Sequence, residues 1–241
     1  MRKVYIDNIR WITVALVVIY HVIYMFNGIE TFGVIGPFSG VQYQDTYQYL
    51  VYPWFMLLLF VVSVMSARYA LERQTHGAFL KSRTRKLLVP STLGLLAFWW
   101  ILGYYNMLLS GALDSLANVP KPVLFVIMAA SGIGPLWYIQ MLWVFSVILV
   151  WVRKIEKDKL WALGGKATVP FVILLALVVW GAAQILNTPM IVVYRFGIYG
   201  LGFFLGYFIF SHDEMMERLE KCWLLLLVYA LVLAIAFTVI Y

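Results

Sequence analysis

The sequence predicts an all-α fold, a bundle of helices that crosses a membrane several times, and three observations lead to this prediction. Of its 241 residues, 64% are hydrophobic and 12% are charged, and the mean hydropathy is +0.89. A soluble domain is about half apolar and about a quarter charged. The apolar residues are gathered into runs close to the length of about 20 residues that spans a bilayer. The charged residues lie mainly between those runs.

The apolar runs predict seven transmembrane helices. In chain order they are Trp11–Phe26, Tyr47–Ala70, Leu87–Leu109, Leu136–Val152, Ala167–Leu186, Met190–Phe210 and Cys222–Tyr241. A further run, Pro122–Ala130, is too short to cross and is expected to be re-entrant or interfacial. Because no repeat or linker-like stretch divides the chain, residues 1–241 are expected to form a single domain.

The basic residues predict the orientation of these helices. Of the 18 basic residues, 16 fall on one side of the seven-helix arrangement, and only Lys121 and Arg195 do not. Lysine and arginine accumulate in cytoplasmic segments, so the amino terminus is expected to be cytoplasmic. The net charge of +7 is therefore assigned to membrane orientation, and no nucleic-acid partner is expected.

The first predicted span carries two ionisable residues, Arg10 at its start and His21 deep inside it. Eleven positions apart, they would leave a helix on nearly the same face, about 16 Å apart along the axis. Asp7 could pair with Arg10 one turn away. His21 could simply hydrogen-bond a neighbouring helix. Ionisable groups inside a span are costly and usually functional, however, and a neutral imidazole can act as a general base or carry an acyl group or a proton.

Arg10 and His21 resemble the R-x10-H signature of the membrane acyltransferase 3 family. Three further stretches are similar to motifs of that family, in the same order: "FVVSVMSARYALERQT" (Phe60–Thr75), "FLKSRTRKLLVPSTLG" (Phe79–Gly94) and "GPLWYIQML" (Gly134–Leu142). The likeness continues more weakly in "YGLGFFLGYFIF". Two positions depart from the family pattern. Val64 stands where a glycine follows the serine, and Lys86 replaces the second arginine of the basic motif.

The resemblance implies an acyltransferase of the bacterial cytoplasmic membrane. Its donor would be acyl-CoA, with acetyl-CoA as our expectation, and its acceptor a hydroxyl of a carbohydrate or another polar molecule, as in the O-acetylation of cell-envelope polysaccharides. His21 and Arg10 are then the predicted catalytic residues, and no metal is expected. Family members usually have more than seven spans, so we also expect the sequence to be part of a longer protein.

Three basic residues, Arg83, Arg85 and Lys86, are predicted to hold the phosphates of acyl-CoA through charge-assisted hydrogen bonds. A basic segment of this kind also orients any protein that crosses the membrane repeatedly, so the pattern alone leaves both interpretations open.

The predicted acceptor-binding residues are Trp137, Tyr138 and Arg195, at the outer ends of the fourth and sixth spans. An interfacial aromatic belt explains Trp137 and Tyr138 equally well, and Arg195 could simply extend to the membrane surface. The polar stretch Gly40–Leu50 could bind a sugar, although an ordinary outer loop is the simpler interpretation.

Two other functions stay open at this point. A transporter or flippase could line a polar path with His21 and Arg195 and break its second helix at Pro53. A truncated, non-catalytic relative could assemble with other membrane proteins.

Two further expectations concern histidines and glycines. His76 and His212 lack metal-ligand spacing and are expected to be solvated. The G-x-x-x-G pattern of Gly202 and Gly206 predicts close contact between two helices.

Overall fold

A computed structural model describes residues 4–24, 45–187 and 194–240, and these residues are predominantly α-helical. The helices are α1 (Val4–Tyr24), α2 (Asp45–Arg73), α3 (His76–Leu109), α4 (Ala112–Ser115), α5 (Lys121–Ser131), α6 (Leu136–Glu156), α7 (Lys159–Gly164), α8 (Val169–Ala182), α9 (Phe196–Phe208), α10 (Asp213–Lys221) and α11 (Trp223–Ile240). Within the described ranges, an isolated antiparallel bridge between Asn187 and Arg195 is the sole extended pairing. The all-α prediction is confirmed.

Fewer helices have the length of a membrane span than the sequence predicts. Among the described residues, α1, α2, α3 and α6 are long and apolar enough to cross. Helices α10 and α11 meet the same test only as a pair bent by 74°. Helices α8 and α9 have only 14 and 13 residues, and residues 188–193, where the sixth predicted span begins, lie outside the description. The structure therefore supports four or five spans of the predicted seven.

Helix α2 lies at the centre of the bundle, between α1 and α9. Phe60 of α2 is fully buried, and its ring stacks on Tyr199 of α9 with 5.0 Å between the ring centroids. Phe145 of α6 packs edge-on against the same ring, with 5.7 Å between the centroids. Helix α9 approaches α2 closely because Gly206 has no side chain: a Cβ there would lie 2.5 Å from the carbonyl oxygen of Val61. The close contact predicted from the G-x-x-x-G pattern is confirmed.

Helix α3 begins at His76, although the apolar run that predicted it starts only at Leu87. Its backbone widens into π-helical turns at Thr84–Leu88 and Leu95–Trp99. Pro90 explains the first of these, since proline has no N–H to donate and its ring would clash with the carbonyl of Lys86 in a regular helix. Because α3 begins at His76, the predicted phosphate-binding residues lie on a helix and not in a loop.

Two expectations for the second span change in the structure. The polar stretch Gly40–Leu50 lies outside the described residues up to position 44, and from Asp45 onward it belongs to α2, so the predicted loop is wrong for that part. Pro53 lies inside α2 and does not break it. The broken helix that the transporter interpretation invoked is therefore not observed here. The short run Pro122–Ala130 forms α5, which packs along α3 where Gly103 meets the backbone of Met128.

Candidate functional site

Helix α1 places Arg10 and His21 along one side of the bundle. The face that contacts α2 is marked by the buried residues Ile6 and Thr13. Arg10 is partly exposed, and its Nη1 donates to Asp7 Oδ1 at 3.2 Å, as the spacing suggested. His21, just over three turns further on, is exposed. The two predicted catalytic residues thus lie beside the contact face, where molecules outside the bundle can reach them.

The hydrogen bond of His21 determines which ring nitrogen is available. Nδ1 lies 2.7 Å from the carbonyl oxygen of Val17. Because a carbonyl can only accept, Nδ1 carries the proton, and in the neutral ring Nε2 then holds the free lone pair. Tyr20 packs edge-on against the imidazole, with 5.4 Å between the ring centroids. In its neutral form, His21 therefore has the lone pair of Nε2 at an exposed position.

Arg83 of α3 is directed toward α1. Its guanidinium carbon lies 5.1 Å from the ring centre of Phe79, and the side chain is within electrostatic range of both Arg10 and Tyr138. Among the described residues, no carboxylate lies within salt-bridge distance of Arg83. Arg10 is paired with Asp7, and Arg83 adds a second guanidinium within electrostatic range of Arg10, so this region has excess positive charge, which suits a phosphate.

Tyr138 of α6 completes this cluster. Its hydroxyl donates to the carbonyl oxygen of Leu59 at 3.2 Å and lies 2.6 Å from Ser63 Oγ, so the serine donates to the phenolic oxygen. The sequence predicts Tyr138 at the outer start of a span, and Arg10 and Arg83 at the inner surface. The structure places the three side chains within electrostatic range of one another, because α3 begins about three turns before its apolar run.

The other two predicted phosphate ligands do not join Arg83. Arg85 and Lys86 lie on the first π turn and are both exposed. The preceding residue, Thr84, accepts a hydrogen bond from Trp143 Nε1 of α6 at 2.9 Å, which fixes this turn against the bundle. The predicted basic trio is therefore divided between a partly buried arginine and two surface cations.

The two remaining predicted acceptor residues differ in their surroundings. Trp137 is buried in the core and packs against Tyr199, with 5.3 Å between the ring centroids. Arg195 precedes α9 and does not lie inside a span. Its guanidinium carbon is 5.9 Å from the ring centre of Tyr52, which also stacks on Tyr20 at 5.7 Å. Arg195 thus lies at the His21 end of α1.

A charged cluster centred on Arg68 was not predicted from the sequence. This buried arginine donates to Glu72 Oε1 at 3.0 Å, to Asp158 Oδ1 at 2.7 Å and to the Tyr207 hydroxyl at 3.1 Å. Arg153 donates to both oxygens of Asp158. The i, i+4 spacing of Arg68 and Glu72 at the end of an apolar run was the available signal. Burial raises the pKa of the Asp158 carboxyl, but the hydrogen bonds from Arg68 and Arg153 outweigh it, so that pKa lies below its ordinary value.

His212 belongs to the same region and is not solvated, so that expectation is wrong. The side chain is buried and stacks on Trp161 with 4.0 Å between ring centroids, and Nε2 lies 2.8 Å from the Trp161 carbonyl oxygen. Arg68 contacts the same indole ring at 4.0 Å. Because these groups find their partners within the protein, the cluster stabilises the junction of α2, α7 and α9 and has no free group for catalysis.

Comparison with known proteins identifies one family. The family model described as "Acyltransferase domain" matches residues 3–241, well beyond the stretch whose motifs suggested the resemblance. Neither a curated protein nor a solved structure matches the chain.

Proposed function

Because the chain belongs to the membrane acyltransferase 3 family, we propose that it transfers an acetyl group from acetyl-CoA to a hydroxyl of a carbohydrate or another polar acceptor. One observation carries this proposal: His21 is exposed, and because its Nδ1 is hydrogen-bonded to the Val17 carbonyl, the neutral form of the ring has its lone pair on Nε2. A nitrogen of this kind is what acyl transfer to a hydroxyl requires.

The donor is proposed to bind at the other end of the same helix. Arg10 and Arg83 would hold the pyrophosphate or the 3′-phosphate of acetyl-CoA, since an anion between them relieves the repulsion of the two guanidinium groups. Arg85 and Lys86, exposed on the following turn, would attract the nucleotide as it approaches. The pantetheine arm would then run along α1 for the roughly 16 Å that separates Arg10 from His21.

The chemical step uses the Nε2 lone pair in one of two ways. As a general base, Nε2 takes the proton of the acceptor hydroxyl while the oxygen attacks the thioester carbonyl. The carbon–sulfur bond breaks, and the thiolate receives that proton. As a nucleophile, Nε2 attacks the thioester carbonyl, the carbon–sulfur bond breaks, and CoA leaves as the thiolate. The acceptor hydroxyl then attacks the acetyl group, the bond from Nε2 to the acetyl carbon breaks, and the hydroxyl proton passes to the thiolate. Isolation of labelled protein after incubation with acetyl-CoA alone would identify the second route.

We place the protein in the bacterial cytoplasmic membrane, with the Arg10 end of α1 facing the cytoplasm. The excess of basic residues on that side supports this orientation. Acetyl-CoA is a cytoplasmic metabolite, so this orientation supplies the donor to the arginines and exposes the acceptor to His21 near the opposite surface.

The decisive experiment compares His21→Ala with the wild-type protein. Membranes that contain each variant are supplied with radiolabelled acetyl-CoA, and the label transferred to other molecules is measured. Loss of the only proposed base or nucleophile is expected to reduce transfer at least about 100-fold. His76→Ala, which removes a histidine at the start of α3, is the control and should retain wild-type transfer. Full transfer by His21→Ala at a wild-type protein level would contradict the proposed function.

A further inference from the structure

A group of side chains at the His21 end of α1 is not used by the proposed reaction. It consists of Arg195, Tyr52 and Tyr20, and it is called the outer ring group below. We infer that the outer ring group binds the acceptor, and that this acceptor is an anionic saccharide, a sugar ring that carries a carboxylate or a phosphate. The inference rests on the proposed function, because it takes His21 as the acyl-transferring residue.

The geometry of the outer ring group links Arg195 to His21 through consecutive contacts. The imidazole packs edge-on against Tyr20 at 5.4 Å, Tyr20 stacks on Tyr52 at 5.7 Å, and Arg195 lies 5.9 Å from the Tyr52 ring. These residues come from α1, α2 and the start of α9. Arg195 and His21 are therefore joined by an unbroken series of aromatic contacts, along which a bound saccharide would lie.

Charge identifies the ligand as an anion. Arg195 is only partly exposed, yet no described carboxylate lies within salt-bridge distance of it. By contrast, Arg68 and Arg153 are each paired with Asp158. A partly exposed guanidinium that pairs with no carboxylate of the described ranges is available to an anionic ligand. A carboxylate or phosphate would provide two charge-assisted hydrogen bonds to the guanidinium.

The aromatic rings identify the rest of the ligand as a sugar. Tyr52 is 42% exposed, so part of its ring is not covered by the described residues. A flat, partly exposed ring offers an apolar face to the C–H bonds of a pyranose, while the sugar hydroxyls remain outside. One of those hydroxyls would then lie on the side of Tyr20 where His21 is found.

Acceptor preference tests this inference. Purified full-length chain in phosphatidylcholine nanodiscs is given radiolabelled acetyl-CoA with methyl glucuronide, glucose 6-phosphate or the neutral methyl glucoside. We expect kcat/KM for the two anionic sugars to exceed that for the neutral one by about tenfold, the usual effect of a charged hydrogen-bond pair. Arg195→Gln should remove this preference and Arg195→Lys should keep part of it. Tyr52→Leu should raise KM for all three sugars.

Lys121→Gln is the matched control, because it removes the other cation predicted on the outer side and should leave the preference unchanged. Equal acetylation of neutral and anionic sugars by the wild type, or an unchanged preference in Arg195→Gln, would overturn the inference and leave the proposed function standing. If phosphatidylglycerol added to the nanodiscs inhibits the wild-type protein and abolishes its preference for anionic sugars, Arg195 binds a lipid headgroup. That result would also overturn the inference. Absence of His21-dependent transfer to any acceptor, including those of native membranes, would overturn both.

Discussion

At the scale of single residues, four arginines of this protein form two pairs with different surroundings. Arg68 and Arg153 share Asp158 and are neutralised inside the protein, so their contribution is to hold helices together. Arg83 and Arg195 have no carboxylate within salt-bridge distance in the described ranges, and each lies toward one of the two predicted catalytic residues of α1. Unpaired guanidinium groups in a largely apolar protein indicate where anionic ligands bind.

This division predicts different effects for two neighbouring arginines. Arg83→Gln removes the guanidinium that lies near Arg10 and should raise the KM for acetyl-CoA by about tenfold or more. Arg85→Gln removes an exposed cation of the same chain segment and should change KM less than about threefold, since surface charges are screened. Steady-state acetyl transfer at varied acetyl-CoA concentration measures both values. If Arg85→Gln raises the KM for acetyl-CoA more than Arg83→Gln does, the phosphate site lies on the exposed face of the π-helical turn instead.

At the scale of helices, close contact between α2 and α9 depends on the absence of side chains. A Cβ at Gly206 would lie 2.5 Å from the Val61 carbonyl oxygen and 2.6 Å from Val64 Cγ1. The first of these atoms belongs to the backbone of α2, which cannot rotate away. Since Tyr199, Phe203 and Tyr207 of α9 fill the core beside α2, this contact also supports the aromatic packing around Phe60.

Gly206→Ala is therefore expected to destabilise the bundle by about 1–3 kcal/mol, the usual cost of overpacking. Gly181→Ala is the matched control, because a Cβ at that glycine of α8 meets no atom within 4 Å. Thermal unfolding of each purified variant in detergent, followed by circular dichroism, measures the difference. Equal midpoints for Gly206→Ala and the wild type would mean that α9 does not pack against α2 at this distance.

Helix α3 shows how much of a helix the local sequence pattern predicts. Its apolar run correctly predicts a helix that ends at Leu109 but not the π-helical turns within it. The run also does not reveal the eleven residues from His76 to Lys86 that extend the helix, since basic and polar residues interrupt the apolar pattern there. Their helical state depends on packing against α6, where Trp143 holds Thr84.

At the scale of the whole molecule, the positions of the basic residues predict which ends of the helices face the cytoplasm. The single cysteine, Cys222, lies between α10 and α11, beside Arg218 and Lys221 on the predicted cytoplasmic side. A thiol on one side of a membrane reacts only with reagents that reach that side. The chain therefore contains its own probe of orientation.

A membrane-impermeant maleimide is expected to label Cys222 in inside-out vesicles and not in right-side-out vesicles. Ser110→Cys in a Cys222→Ser background moves the thiol to the segment after α3, where the opposite pattern is expected. Labelling is detected by a mass shift of the purified protein. Labelling of Cys222 in right-side-out vesicles would contradict the predicted orientation. The Arg83 site would then face away from the cytoplasm and its acetyl-CoA.

The amino-acid sequence by itself determined the helical membrane class, the helix register that aligns Arg10 with His21, and the glycine contact of α9, because each depends on residues close together in the chain. Tertiary structure alone decided that Tyr138 joins Arg10 and Arg83, that Trp137 and His212 are buried, and that Arg195 lies over Tyr52. These contacts join helices far apart in the sequence. Whether a charged side chain is neutralised or left for a ligand depends on which of those helices meet, and periodicity and charge counts carry no information about that.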